Sequence, residues 1–276
     1  MISTSKYSLS PIFAAVKRIS FIAALLLLIA SGCKPKHFQA VAESNGYTYV
    51  HDSLGLTDEK VESTIAPYRL RMDSMMNRVV GSSSVEMVKA KEFMNNGTPE
   101  SPIGNFIADL VLLQTNRTRS VNNEPPVDMC LLNSGGIRSS FPKGPITVGA
   151  VYEVMPFDNI VVVQEMSGAT VQQMLDFLAS KGGFPIAGFT MGIRNGKPVD
   201  VRINGVAFNP DADRTYLVVT SDYLQNGGDN MEFFRNSTNT GSYGLLRDMI
   251  LNHFHYLTGM GVEASATADG RMWYDK

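Results

Sequence analysis

Val127-Asp128-Met129-Cys130-Leu131-Leu132-Asn133-Ser134-Gly135-Gly136-Ile137-Arg138 is an apolar run that ends on a glycine-rich loop and one cation. The run reads as a strand. Its glycines free the loop to turn with positive φ and to approach a bound molecule with no Cβ in the way. The pattern recurs downstream, where the strand-like run Tyr216 to Thr220 opens into Asp222-Tyr223-Leu224-Gln225-Asn226-Gly227-Gly228-Asp229. That second glycine loop ends on an acid. Phe157 lies between the two loops and Tyr223 inside the second. Two rings, a guanidinium and a carboxylate carried at strand ends suit a clamp for a nucleotide, because a base stacks on an aromatic face and a fixed fork of donors suits anionic oxygens.

Outward from these loops, helical and strand patterns alternate. From Thr57, the residues Val61, Ile65, Tyr68, Leu70, Met72, Met75, Met76 and Val79 recur at near-helical spacing, with Asp58, Glu59 and Glu62 in the first turns. Acids there suit the positive end of the helix dipole. Pro67 predicts a kink or two helices, and the methionine-rich stripe reads as core packing. Ser82 to Ala90 reads as a strand, and Ser101-Pro102 as a helix cap followed by proline at the first helical position. Thr147 opens a short helix, Ile160 to Met166 is a strand, and Thr170 to Ser180 a helix. Asn195-Gly196 and Asn204-Gly205 are hairpin signals. Gly241 to Leu257 reads as the final helix and Arg271 to Tyr274 as a closing strand. The mixture predicts an α/β or α+β layered domain over residues 56–276, with a mixed sheet and flanking helices.

The first 33 residues read as an export signal. Lys6, Lys17 and Arg18 precede the apolar run Phe21 to Ala30, which is about half of the ~20 residues a membrane-spanning helix needs. Ala30-Ser31-Gly32-Cys33 resembles a bacterial lipobox, which implies that Cys33 is lipidated and holds the chain on the cell envelope, periplasm-facing or at the surface. Residues 34–55, with Lys34-Pro35-Lys36 and Tyr47-Thr48-Tyr49, read as a tether. The 24 basic and 26 acidic residues supply no basic field for a nucleic-acid polymer. Small ligands fit better. With Cys33 in the lipobox, Cys130 stands alone and reads as a buried structural thiol.

Taken together, Gly104-Asn105-Phe106-Ile107-Ala108-Asp109, Asn133 to Arg138, Ile146-Thr147, Val151 to Asn159, and Asp222-Tyr223-Leu224 with Gly227-Gly228-Asp229 resemble the C-terminal, nucleotide-recognition domain of the 5′-nucleotidase family. Order and spacing hold from about residue 57 onward. The resemblance implies that Phe157 and Tyr223 sandwich the base, Tyr223 standing where phenylalanine is usual. It places Asp229 on the ribose hydroxyls, Asn133, Asn159 and Gly188 near the base, and Arg138 toward ribose or phosphate. Gly135, Gly136, Gly227 and Gly228 are the loop glycines. Taken singly, Phe157 after Pro156 reads more readily as a core plug than as a stacking ring, Arg138 reads also as a surface cation and Asp229 as a turn residue. The family's arginine upstream of the Gly-Asn helix has no counterpart between Glu92 and Ile103, where Asn96 or Gly97 stands instead.

The family's catalytic half is a two-metal phosphoesterase with Asp-x-His, Gly-Asp-x-x-Asp, Gly-Asn-His-Asp/Glu and Gly-His-x-His motifs. None of these occurs here, and the histidines are His37, His51, His253 and His255. His253-Phe254-His255 reads as a helix-surface pair rather than a metal site, since positions i and i+2 do not share a helix face. No catalytic residue, metal ligand or cofactor is therefore expected in this chain, and divalent metals are expected on a partner catalytic domain. The leading expectation is a nucleotide or nucleoside recognition component working with a separately encoded metallophosphoesterase. The alternatives are a free-standing envelope binding lipoprotein and a decayed scaffold.

Overall fold

A computed structural model describes residues 58–89 and 97–275. The signal at 1–33 with Cys33, the tether at 34–55, Ala90 and Asn96 lie outside the described residues. One compact unit spans Glu59–Lys276. In chain order its elements are α1 (Glu59–Met76), β1 (Val79–Ser83), α2 (Pro102–Val121), β2 (Met129–Leu131), β3 (Gly144–Thr147), α3 (Val148–Val154), β4 (Ile160–Ser167) and α4 (Gly168–Lys181). Then follow β5 (Ile186–Ala187), β6 (Phe189–Arg194), β7 (Lys197–Ile203), β8 (Val206–Ala207), β9 (Thr215–Ser221), α5 (Asp222–Gln225), β10 (Thr238–Leu245), α6 (Leu246–Gly259) and β11 (Met272–Tyr274).

A central five-stranded sheet has the order β10-β4-β9-β2-β5, with β2 and β9 parallel and the other pairs antiparallel. Side chains alternate across it as a period of two requires. Cys130, Leu132, Val161, Val163 and Val219 face a core shared with α2, α3 and α6. Met129, Leu131, Met166, Tyr216 and Val218 face a second core shared with α4 and the sheet β11-β6-β7-β8. A sheet covered on both faces needs near-continuous apolar strands, which is why Met129 to Leu132 carries no polar residue. Cys130 is fully buried, and burial pushes its thiol well above the ordinary value. This is the mixed α/β layered fold that the sequence predicts.

Local signals explain most helix starts. Ser101 accepts from the Gly104 N–H with Pro102 at the first turn, Thr147 accepts from Ala150, and Ser167 accepts from Thr170. The Asn195-Gly196 and Asn204-Gly205 turns both take left-handed φ at each residue, as two-residue hairpins demand.

Four expectations are corrected. α1 is a single helix through Pro67 rather than two. Its stripe is not core: no α1 residue is buried, Met72 and Met75 are more than half exposed, and only Met76 packs inward. The strand expected from Ser82 is β1 instead. At its end the backbone of Ser82 and Ser84 and the Ser83 hydroxyl bond Ala264, and beyond it Met87 makes an isolated bridge to Phe141. Finally, the start of the expected last helix is β10, which completes the edge of the central sheet beside β4, and the helix begins at Leu246.

Candidate functional site

Because β2 and β9 are parallel neighbours and β4 is antiparallel beside β9, with Val161 opposite Ser221, three connections meet at one end of the sheet. They are the loop after β2, the turn after β9 and the segment leading into β4. Carboxyl ends of adjacent parallel strands are where open sheets gather ligands. A cavity of about 320 Å³ lies there, lined by Asn133, Gly135, Gly136, Arg138, Phe157, Asn159, Tyr223 and Asp229. The structure thus brings together eight of the residues named from the sequence.

Gly188, Gly227 and Gly228 are not among the lining residues. Gly188 has a structural cause: at φ 81 it turns the chain from β5 into β6, where a Cβ would sit 2.2 Å from the Asp128 carbonyl oxygen. Gly228 lies under the Tyr223 ring, and a Cβ there would come within 2.5 Å of Cε1.

The acid is the most strongly organised group. Asp229 takes left-handed backbone at φ 52, followed by Asn230 at φ 63, a conformation that costs a non-glycine residue about 1 kcal/mol. Its Oδ2 accepts from Asn133 Nδ2 at 2.8 Å, and its Oδ1 accepts from the Tyr223 hydroxyl at 2.8 Å. The hydrogen bond to the carboxylate raises the Tyr223 pKa, so the phenol keeps its proton. Asn133 is buried, and a Cβ on Gly136 would lie 2.9 Å from its Oδ1, so glycine is needed beside it.

Phe157 and Tyr223 are 43% and 44% exposed. Neither is a core plug. Arg138 is exposed, donates one bond to the Gly135 carbonyl at 3.1 Å, and forms no ion pair among the described residues. The sequence reading missed Lys89, whose Nζ donates to the Arg138 carbonyl at 3.3 Å and adds a second cation beside the loop.

It also missed Arg247. This buried guanidinium donates to the carbonyls of Met155 and Phe157, pairs with Asp158, and lies 4.2 Å over the Tyr152 ring. The Leu246 N–H donates to the Asn159 carbonyl at 2.9 Å. The start of α6 therefore grips the segment that carries Phe157 and Asn159. No local pattern marks Arg247, which reads as an ordinary helix cation.

The Gly104 to Asp109 motif does different work. Asn105 donates to the buried Glu100 carboxylate and to the Thr267 carbonyl. Arg271 spans both oxygens of Asp109. That motif ties α2 to the C-terminal segment and leaves the pocket untouched.

Among the described residues, no group of three or more His, Cys, Asp or Glu is placed to share a metal ion. His253 and His255 do not form a surface pair. His253 is buried against the Phe106 ring at 5.5 Å, and burial, aided by Arg117, lowers its pKa, while His255 faces solvent.

Residues 79–236 match the family model of the 5′-nucleotidase C-terminal domain. The trifunctional nucleotide phosphoesterase protein YfkN of Bacillus subtilis is 28% identical over 232 residues, covering 78% of this chain and 15% of that protein. The cell wall protein Lmo0130 of Listeria monocytogenes is 25% identical over 222 residues, covering 74% of this chain and 28% of its own length. The chain thus spans less than a third of either relative. The fold matches the 5′-nucleotidase precursor of Thermus thermophilus with a TM-score of 0.64 at 24% identity, over 78% of this chain and 43% of that one. With its strand-end loops, its cavity and this family match taken together, the chain belongs to the 5′-nucleotidase C-terminal domain family.

Proposed function

We propose that this chain recognises nucleotides or nucleosides and works with a separately encoded metallophosphoesterase that supplies the two-metal chemistry. The observation that carries the reading is the cavity itself. Phe157 and Tyr223 stand half-exposed in its wall, and Asp229 is held with both oxygens anchored. Base stacking on such rings contributes ~1–3 kcal/mol per base. The carboxylate would take the ribose hydroxyls, Asn133 and Asn159 would meet the base, and Arg138 would face ribose or phosphate. Two metals clamp the attacking and leaving oxygens in phosphoester hydrolysis, and the described residues offer no ligand group for them.

Residues 1–33 would then be a lipoprotein signal and Cys33 its lipidated residue, with 34–55 as the tether of a domain at 56–276. An extracytoplasmic address agrees with the cell-wall relative. A shared membrane surface would raise the effective concentration of the two halves for each other, as a linker does in a joined protein.

The test mixes the chain with a separately encoded metallophosphoesterase from the same organism. The kcat/KM for AMP should rise, and Phe157→Ala should abolish the rise while leaving p-nitrophenyl phosphate hydrolysis unchanged. AMP turnover that survives Phe157→Ala would overturn the reading. A second reading, a free-standing envelope protein that binds nucleotides or nucleosides without hydrolysis, draws support from Gly97 standing near where the family's upstream arginine is usual. Strong nucleoside binding with no gain in hydrolysis on mixing would favour it.

A further inference from the structure

Tyr223 is bound to Asp229 at two points. Its hydroxyl donates to Oδ1 at 2.8 Å and accepts from the Asp229 N–H at 3.3 Å. Gly228 makes this approach possible, because any Cβ there would collide with the ring. Asn133 holds the opposite carboxylate oxygen from its buried position. Rotating the carboxylate would break both side-chain bonds at once. A carboxylate has about four acceptor positions, so anchoring one on each oxygen leaves one free on each. Two free acceptors on adjacent oxygens, in fixed orientation, match two hydroxyl donors on adjacent carbons.

We propose that Tyr223 is a specificity-determining residue: its hydroxyl fixes Asp229 as a bidentate acceptor and so makes the pocket selective for a cis-diol sugar over a 2′-deoxy sugar. The proposal deepens the nucleotide reading of the pocket and rests on it. A phenylalanine in this position stacks equally well but leaves Asp229 held at one oxygen only, with its left-handed backbone N–H unbonded. The acid must then be ordered when the ligand binds, and that ordering subtracts from affinity. A 2′-deoxy sugar presents a single donor and gains little from the fixed geometry.

Calorimetry on the full chain would use the four ribonucleoside 5′-monophosphates, their nucleosides and their 2′-deoxy counterparts. The tightest ribo-ligand should bind at least about tenfold more strongly than its 2′-deoxy partner, as loss of a charge-assisted hydrogen bond implies. Tyr223→Phe should weaken that ribo-ligand about tenfold and its deoxy partner little, so that the ratio collapses toward one. Asp229→Asn should collapse the same ratio, and adding Tyr223→Phe to it should change nothing further, as expected for residues acting as a unit. Should no ribo-ligand bind the wild-type chain, the nucleotide reading falls and takes the inference with it. Binding with an unchanged ratio in Tyr223→Phe, or tighter ribo-ligand binding in that variant, overturns the inference alone. The ring remains in the variant, and an unchanged melting temperature separates loss of selectivity from loss of fold.

Discussion

Arg247 donates from Nη1 to the carbonyl oxygen of Phe157, ninety residues earlier in the chain. One buried cation on a rigid helix thus fixes the backbone beneath an exposed ring. Replacing it with methionine leaves the Met155 and Phe157 carbonyls without that donor, at a cost of ~1–3 kcal/mol in folding stability. Urea midpoints measure that loss. Nucleotide affinity should fall several-fold in Arg247→Met and should not fall when Phe157 is already alanine, because the effect passes through that ring.

Arg138 has donors to spare beyond its bond to Gly135. Arg138→Ala is expected to weaken AMP about tenfold, the value of one charge-assisted contact, and adenosine much less. Titrating both ligands against the variant decides the matter: equal losses place the guanidinium on the ribose or base side.

Phosphate release from AMP by the purified chain alone should stay at background with Mg²⁺, Mn²⁺ or Zn²⁺ added, since the described residues gather no ligand group for those ions. Metal-dependent turnover that survives repurification and vanishes in a His253→Ala/His255→Ala double variant would contradict this.

His253 gives the fold an acid-sensitive point. Its folded pKa is lowered by burial, so the unfolded chain binds the proton more readily. Its stabilising contribution is full above the unfolded histidine value of ~6.5 and is lost as pH falls below it toward the folded pKa. Denaturation midpoints should drop across that window in the wild type, and His253→Phe should flatten the drop. A wild-type midpoint that holds steady from pH 7 to 5 would remove the histidine from this role.

Much of this was legible locally. The strand at the head of 127–138, the Ser101-Pro102 cap and both Asn-Gly hairpins are decided by short-range stereochemistry, and the structure agrees. Gly135 and Gly136, however, form a short 3-10 turn with no positive φ. β10 was not legible, because Thr-Asn-Thr-Gly-Ser-Tyr-Gly-Leu has little strand character of its own and is ordered by pairing with β4. The stripe of α1 misled because periodicity shows which residues share a face and says nothing of what covers it. In the site, residue types could be named from the two loops. The Tyr223–Asp229 bond and the Arg247 brace could not: the first spans six residues but depends on the left-handed backbone at Asp229, and the second on backbone ninety residues away.

The pocket has one more consequence, in time. Asn133 and Asp229 are 96 positions apart, and the brace on Phe157 lies later still in α6. Contacts of such long sequence separation form late, after costly loop closure. A chain emerging from the ribosome would hold no formed pocket until α6 is complete. Ligand affinity therefore reports on the finished fold: a truncation before Leu246 should lose binding altogether, even where it keeps every residue that lines the cavity.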